Sequence, residues 1–302
     1  MKHGVNNALL GRLALLAAAL IWGGSFVGMK ALTDAMDTQY ILWIRFSLAA
    51  AVMSLVLIPR WNRVRWSVVW RGIVIGVFLY GAYCFQTYGL EHTTPGKNAF
   101  LTEVYCVLVP FLYWGIDKCR PDRYNLSAAL LSVVGIGLVS LDSTLSLGLG
   151  EGLTLLGGVF FSFHLVAITK LGRGQDALFI TLFQFVGVAL CAAIGALLFE
   201  QPPLVSALLT TGIVGPMIYL VLAATCLTIT FQTFGQQHTP PSAAAILLSL
   251  EAVFGALISI LAGERPTATV LCGFAVIFAA VIVSETKLSF LQRRRMSTKH
   301  HM

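Results

Sequence analysis

Phe85-Gln86-Thr87-Tyr88-Gly89-Leu90-Glu91-His92-Thr93-Thr94-Pro95 recurs, one threonine shorter, as Phe231-Gln232-Thr233-Phe234-Gly235-Gln236-Gln237-His238-Thr239-Pro240. Beyond it the register holds. Thr94-Pro95 maps onto Thr239-Pro240 and Arg120-Pro121 onto Arg265-Pro266, both at an offset of 145. So many residue types matching in order identify a duplicated chain. The halves are 1–145 and 146–290, with a basic tail at 291–302.

Each copy closes a long apolar run, and the rest of the chain has the same character. Of 302 residues, 57% are hydrophobic and 11% charged, with a mean hydropathy of +0.83. A soluble domain carries about 25% charged residues, so too few remain here to solvate a globular surface. Composition therefore excludes a soluble enzyme, a disordered chain and a nucleic-acid-binding module, despite a pI near 9.2. A membrane-crossing helix needs about 20 mostly apolar residues. Ten stretches answer to that: 11–32, 39–58, 70–90, 97–116, 125–142, 151–171, 177–198, 210–235, 240–262 and 267–287. The predicted fold class is an all-α integral membrane protein with ten transmembrane helices. Long runs without alternation exclude an outer-membrane barrel.

Five crossings per half is an odd number, so the second half enters the membrane from the opposite side. The charges agree. With the N-terminus in the cytoplasm, the inner segments hold 16 of the 20 Lys and Arg residues, and the outer loops hold only Lys97 and Arg265. That is the positive-inside signature. It accounts for the net charge of +7 without any nucleic-acid partner, and places both termini on the cytoplasmic side of the inner membrane. The first apolar run is too long for a cleaved signal peptide. The run Arg293-Arg294-Arg295 can also meet anionic headgroups. Cys84, Cys106, Cys119, Cys191, Cys226 and Cys272 show no CxxC spacing, so they point to neither a disulfide framework nor a metal site. No cofactor is expected. Inverted repeats underlie many secondary transporters, with substrate held near the midplane at the repeat interface.

The motifs resemble those of the drug/metabolite transporter superfamily, in its ten-helix EamA-type branch. They run in order: Trp22-Gly23-Gly24-Ser25-Phe26 followed by Lys30, Arg45-Phe46, Gln86-Thr87-Tyr88-Gly89-Leu90, and Ala99-Phe100-Leu101-Thr102 through Pro110. Leu250-Glu251-Ala252-Val253-Phe254 with Gly263-Glu264-Arg265 completes the set. The resemblance covers essentially the whole chain. It departs at Ala252, where the family usually has proline, and at Glu103, a position not expected to be acidic. The resemblance implies two five-helix repeats around a central cavity and export of small metabolites without ATP.

Ionisable residues inside the membrane are costly, so each is a functional candidate. Arg45 and Glu103 each lie about six residues into their spans from the same side, roughly 9 Å deep at 1.5 Å per residue. Equal depth suggests either a structural ion pair or one partner for each end of a zwitterion. Glu251 lies near the midplane. It is a candidate proton carrier, with Glu103 as a second, or else a helix-packing group. His164 is a lone membrane histidine, read as a packing residue or part of the site. Gln86 and Gln232 are repeat-related amides suited to an uncharged portion of a substrate, or to packing between repeats. Trp22 and Tyr83 are candidate cavity walls, and Pro110, Pro216 and Pro240-Pro241 are candidate kinks.

The substrate-binding set is thus Arg45, Glu103, Gln86, Trp22, Tyr83, Gln232 and His164. No catalytic residue is expected: no P-loop, HExxH or GxSxG motif occurs. The expected partners are a small-molecule substrate, the lipid bilayer and protons, with the chain a monomer or weak homo-oligomer. Two substrate classes stay open. One is amino acids and related zwitterions; the other is multidrug or lipophilic-cation export.

Overall fold

A computed structural model describes residues 2–118, 120–140, 148–203, 210–239 and 241–286. The expected tail at 291–302, Pro240 and Cys119 lie outside these described residues. Among the described residues there is no strand.

The helices are α1 (Lys2–Thr33), α2 (Thr38–Leu57), α3 (Trp66–Glu91), α4 (Pro95–Thr102), α5 (Val104–Asp117), α6 (Arg123–Ser140), α7 (Leu149–Leu171) and α8 (Ala177–Phe199). They are followed by α9 (Thr211–Val221), α10 (Thr228–His238), α11 (Pro241–Leu261) and α12 (Ala268–Thr286). Among the described residues, seven stretches are long and apolar enough to cross a membrane: Ala8–Thr33, Thr38–Arg63, Trp66–Glu91, Pro95–Ile116, Leu149–Leu171, Ala177–Phe199 and Thr211–His238. Arg123–Val139, Leu247–Leu261 and Ala268–Val283 are shorter apolar helices. Large apolar side chains such as Leu130, Leu197, Phe199 and Leu261 point outward, as a lipid-facing surface requires.

Two of the expected apolar runs are broken. The run at 97–116 divides at Glu103, which closes α4 and opens α5. The run at 210–235 contains Pro216 and then a π turn over Leu222–Leu227 that joins α9 to α10. Proline withholds a backbone donor, and the wider π turn shifts the hydrogen-bond pattern of the residues after it.

Packing joins the halves. α3 lies on α7 and α8, α1 on α10 and α11, α2 on α8, α4 on α11, α5 on α7, and α6 on α12. Glycine lets these seams close. A Cβ on Gly76 of α3 would collide with the backbone carbonyl of Gln184 on α8, and one on Gly157 of α7 would meet Gln86 N at 2.9 Å.

Candidate functional site

Arg45 comes from the middle of α2 and is 2% exposed. Its Nε donates to Thr225 Oγ1 at 2.6 Å, and its Nη2 donates to the Ala224 carbonyl at 3.1 Å. The guanidinium also lies over the Tyr83 ring at 4.7 Å and the Phe46 ring at 5.2 Å. Trp22 Nε1 donates to the same Ala224 carbonyl at 2.9 Å. The π turn thus supplies the acceptors for both groups.

These residues face a central cavity of about 30 Å³, room for about one water molecule. Trp22, Arg45, Tyr83, Gln86, Gln232 and Glu251 all line it. Seven residues were candidates for substrate binding, and the cavity brings together five of them: Trp22, Arg45, Tyr83, Gln86 and Gln232. It adds Glu251, the candidate proton carrier. Glu103 and His164 are not in its wall.

The expected pairing of Arg45 with Glu103 is not formed. Among the described residues the ion pairs are Lys30–Asp34 at 3.7 Å and Lys97–Glu151 at 3.2 Å. Equal depth does not fix direction around a helix. Glu103 sits at the α4–α5 break, where Cys106 Sγ donates to its Oε2 at 3.4 Å, and its Oε1 has no hydrogen-bond partner among the described residues. Its electrostatic neighbour is the Glu251 carboxyl. His164 is 1% exposed and pairs its Nε2 with Gln184 Oε1 at 2.9 Å across the α7–α8 seam. That contact is a buried interhelical bond away from the cavity.

One polar cluster went unnoticed in the sequence. Asn98 on α4 is wholly buried; its Nδ2 donates to the Gln86 carbonyl at 3.0 Å and to Thr154 Oγ1 at 2.7 Å. Gln86 Nε2 donates to Thr102 Oγ1 at 3.0 Å, and Thr102 Oγ1 to the Asn98 carbonyl at 2.8 Å. Together they fix one cavity wall. An uncharged amide within an apolar run was the available signal.

The two ends of the bundle differ. At one end the chain between α3 and α4 is clasped by two carboxylates. Glu264 accepts from Thr94 Oγ1 at 2.5 Å and from Gly96 N at 3.0 Å. Glu151 accepts from Lys97 Nζ and Thr93 Oγ1, each at 3.2 Å. Lys30 Nζ donates to the Leu90 and Glu91 carbonyls at 3.0 and 3.1 Å. The opposite end is held by longer bonds. Gln237 Nε2 donates to the Gly172 and Gln175 carbonyls at 3.3 and 3.4 Å. Beside them opens a cavity of about 410 Å³, lined in part by Arg173, Gln236 and His238.

The sequence profile described as the EamA-like transporter family matches the chain twice, over residues 9–141 and 148–286. The chain belongs to the EamA-like transporter family. Two relatives carry transporter names. An uncharacterized transporter of Archaeoglobus fulgidus is 28% identical over 278 residues, covering 90% of this chain and 85% of that one. The uncharacterized transporter YrdR of Bacillus subtilis is 25% identical over 197 residues, covering 62% and 53%. A solved crystal structure superposes with a TM-score of 0.67 at 18% identity, over 93% of this chain and 98% of its own; that likeness concerns the fold. This EamA-like chain is a multi-pass membrane transporter.

Proposed function

We propose that the chain is a secondary transporter of small zwitterionic metabolites, amino acids foremost, working by alternating access. In this reading the three shorter apolar helices complete a set of ten, arranged as two inverted five-helix repeats. Support comes from the packing, which keeps its pattern when the halves are exchanged. The contact of α3 with α7 has its counterpart in that of α10 with α1, and α7 on α4 and α5 mirrors α1 on α11. The Lys and Arg bias supports both termini in the cytoplasm, so the end clasped by Glu151 and Glu264 is outer. The cavity beside Arg173 is then inner, and transport is export across the cytoplasmic membrane.

The observation that carries the substrate class is the pairing of opposite charges in one cavity wall. Arg45 and Glu251 both line the small central space, and neither is in an ion pair among the described residues. A guanidinium suits a carboxylate and a carboxylate suits an ammonium, so the cavity offers a partner for each end of a zwitterion. The space is too small for such a ligand as it stands. The α4–α5 break at Glu103 and the π turn at Leu222–Leu227 are where the walls can yield. Glu251 and Glu103 are also the candidates for carrying a coupling proton.

Arg45→Gln tests the assignment in proteoliposomes. Transport of an amino acid should fall by roughly 1.5–3 kcal/mol of lost charge-assisted bonding, whereas its decarboxylated amine should be spared. Arg45→Lys should rescue poorly, because a point charge lacks the bidentate fork. Equal loss for both ligands would return Arg45 to scaffolding. Aromatic walls and two carboxyls keep lipophilic-cation export as the second reading, and that reading predicts no dependence on Arg45.

A further inference from the structure

Four side-chain oxygens along one stretch of chain are buried without a hydrogen-bond partner among the described residues: Thr228 Oγ1, Gln232 Oε1, Gln236 Oε1 and Thr239 Oγ1. On a helix, two steps of four residues keep Thr228, Gln232 and Gln236 within one stripe about 80° wide, and Thr239 follows as the extended C-cap of α10. At 1.5 Å per residue the three helical members run about 12 Å, a little under half a bilayer core. Its two middle members each reach a cavity. Gln232 lines the central cavity and Gln236 lines the inner cavity of about 410 Å³.

An unpartnered buried acceptor is costly, and the related stretch of the first half avoids that cost. There the matching residues are Ala82, Gln86, Leu90 and Thr94. Ala82 and Leu90 are buried apolar groups. Gln86 is bonded to Thr102, and Thr94 donates to Glu264. The same repeated stretch is therefore sealed on α3 and left with free acceptors on α10.

We propose that this oxygen row, on α10 and its C-cap, is the inner leg of the substrate path. It accepts hydrogen bonds from the ammonium end of an amine-bearing substrate as it passes between the inner opening and the Arg45–Glu251 cavity. Arg173 at the mouth meets the carboxylate end. The inference rests on the transport reading above and adds which helix face the substrate follows and which chemical group it recognises.

Two measurements test it separately from that reading. In a chain whose native cysteines are replaced by alanine, single cysteines at 228, 232, 236 and 239 are treated from the inner side with a cationic, membrane-impermeant methanethiosulfonate. Positions on the row should react, and amino acid should protect them; cysteines at 230 and 234, on the opposite face of α10 beside an apolar groove, should stay silent. Reaction that ignores the row, or none at all, overturns the proposal. Gln236→Leu, which copies Leu90 of the first half, should slow amino-acid efflux about tenfold while binding at the central cavity stays within twofold; Gln236→Asn should keep most of the flux. Unchanged efflux in a Gln236→Leu protein that melts like the wild type overturns it too. If that variant does not fold, the labelling pattern decides. Failure of the cavity reading shows elsewhere, as amino-acid binding that ignores Arg45→Gln.

Discussion

Arg45 is bonded to Thr225 across 180 residues of chain, Nε to Oγ1 at 2.6 Å, so the second helix of one half is pegged to the π turn of the other. The neighbouring Ala224 carbonyl accepts from both Arg45 and Trp22. The turn therefore fixes the direction of the cavity's cation. Thr225→Val keeps the shape and removes the acceptor from a charged donor, a loss of about 1.5–3 kcal/mol. It should melt several degrees lower in detergent, and Thr225→Ser should restore most of the difference. A valine variant melting with the wild type would show that the peg contributes nothing.

The clasp at the proposed outer end makes a second prediction. Glu264 and Glu151 hold Thr93, Thr94, Gly96 and Lys97 at once. The partly exposed Lys97–Glu151 pair alone is weak, about 0–1 kcal/mol, but Glu151 also accepts from a hydroxyl, and Glu264 from a hydroxyl and a backbone N–H. The double change Glu151→Gln and Glu264→Gln should loosen this end, and a cysteine placed at Leu90 should react several-fold faster with an impermeant thiol reagent added outside. No change in rate would mean that packing of α3 on α7 alone keeps this end shut.

Gly76 predicts how closely α3 and α8 must approach. The atom in the way of a side chain is the Gln184 backbone carbonyl, which no rotamer change can move. Gly76→Val should therefore separate the seam, at a cost of about 1–3 kcal/mol or more for overpacking. The readout is monodisperse yield after extraction, compared with valine at Gly212, where nothing lies within 4 Å of a Cβ. Equal yields would contradict the close approach.

Much of this was legible in the chain itself, because hydropathy and internal repetition are one-dimensional signals. The apolar runs at 39–58 and 177–198 match α2 and α8 to within one residue at each end. Trp22, Arg45, Tyr83, Gln86, Gln232 and Glu251 were singled out and meet in one cavity. What depth along a helix cannot supply is azimuth. Glu103 has the depth of Arg45, yet its carboxyl turns to Cys106 at a helix break, and His164 turns to Gln184. Thr225 was invisible for a related reason: a π turn leaves no mark on apolar composition. The inequality of the two ends was equally hidden, since it depends on which oxygens find donors in three dimensions.

Glu251 carries the last prediction, because its two proposed roles make different demands. As the partner of a substrate ammonium it must be charged when ligand binds, and its place in the cavity wall with Arg45 suits that. As a proton carrier it must exchange with water during the cycle while the ligand is held elsewhere. Glu251→Gln keeps size and hydrogen bonding but removes both the charge and the exchangeable proton. For the ammonium role, affinity should drop roughly ten- to hundredfold for an amino acid and its decarboxylated amine alike, matching about 1.5–3 kcal/mol; the deaminated acid, anchored at Arg45, should be spared. Glu103→Gln, outside the wall, should leave all three affinities within twofold. Trp22 lines the cavity, so quenching of tryptophan fluorescence can follow each titration. For the proton role, all affinities should persist in Glu251→Gln, counterflow should continue, and only uphill exchange driven by a pH gradient should disappear. The expected outcome is the first pattern, and retained amine affinity in Glu251→Gln would exclude it.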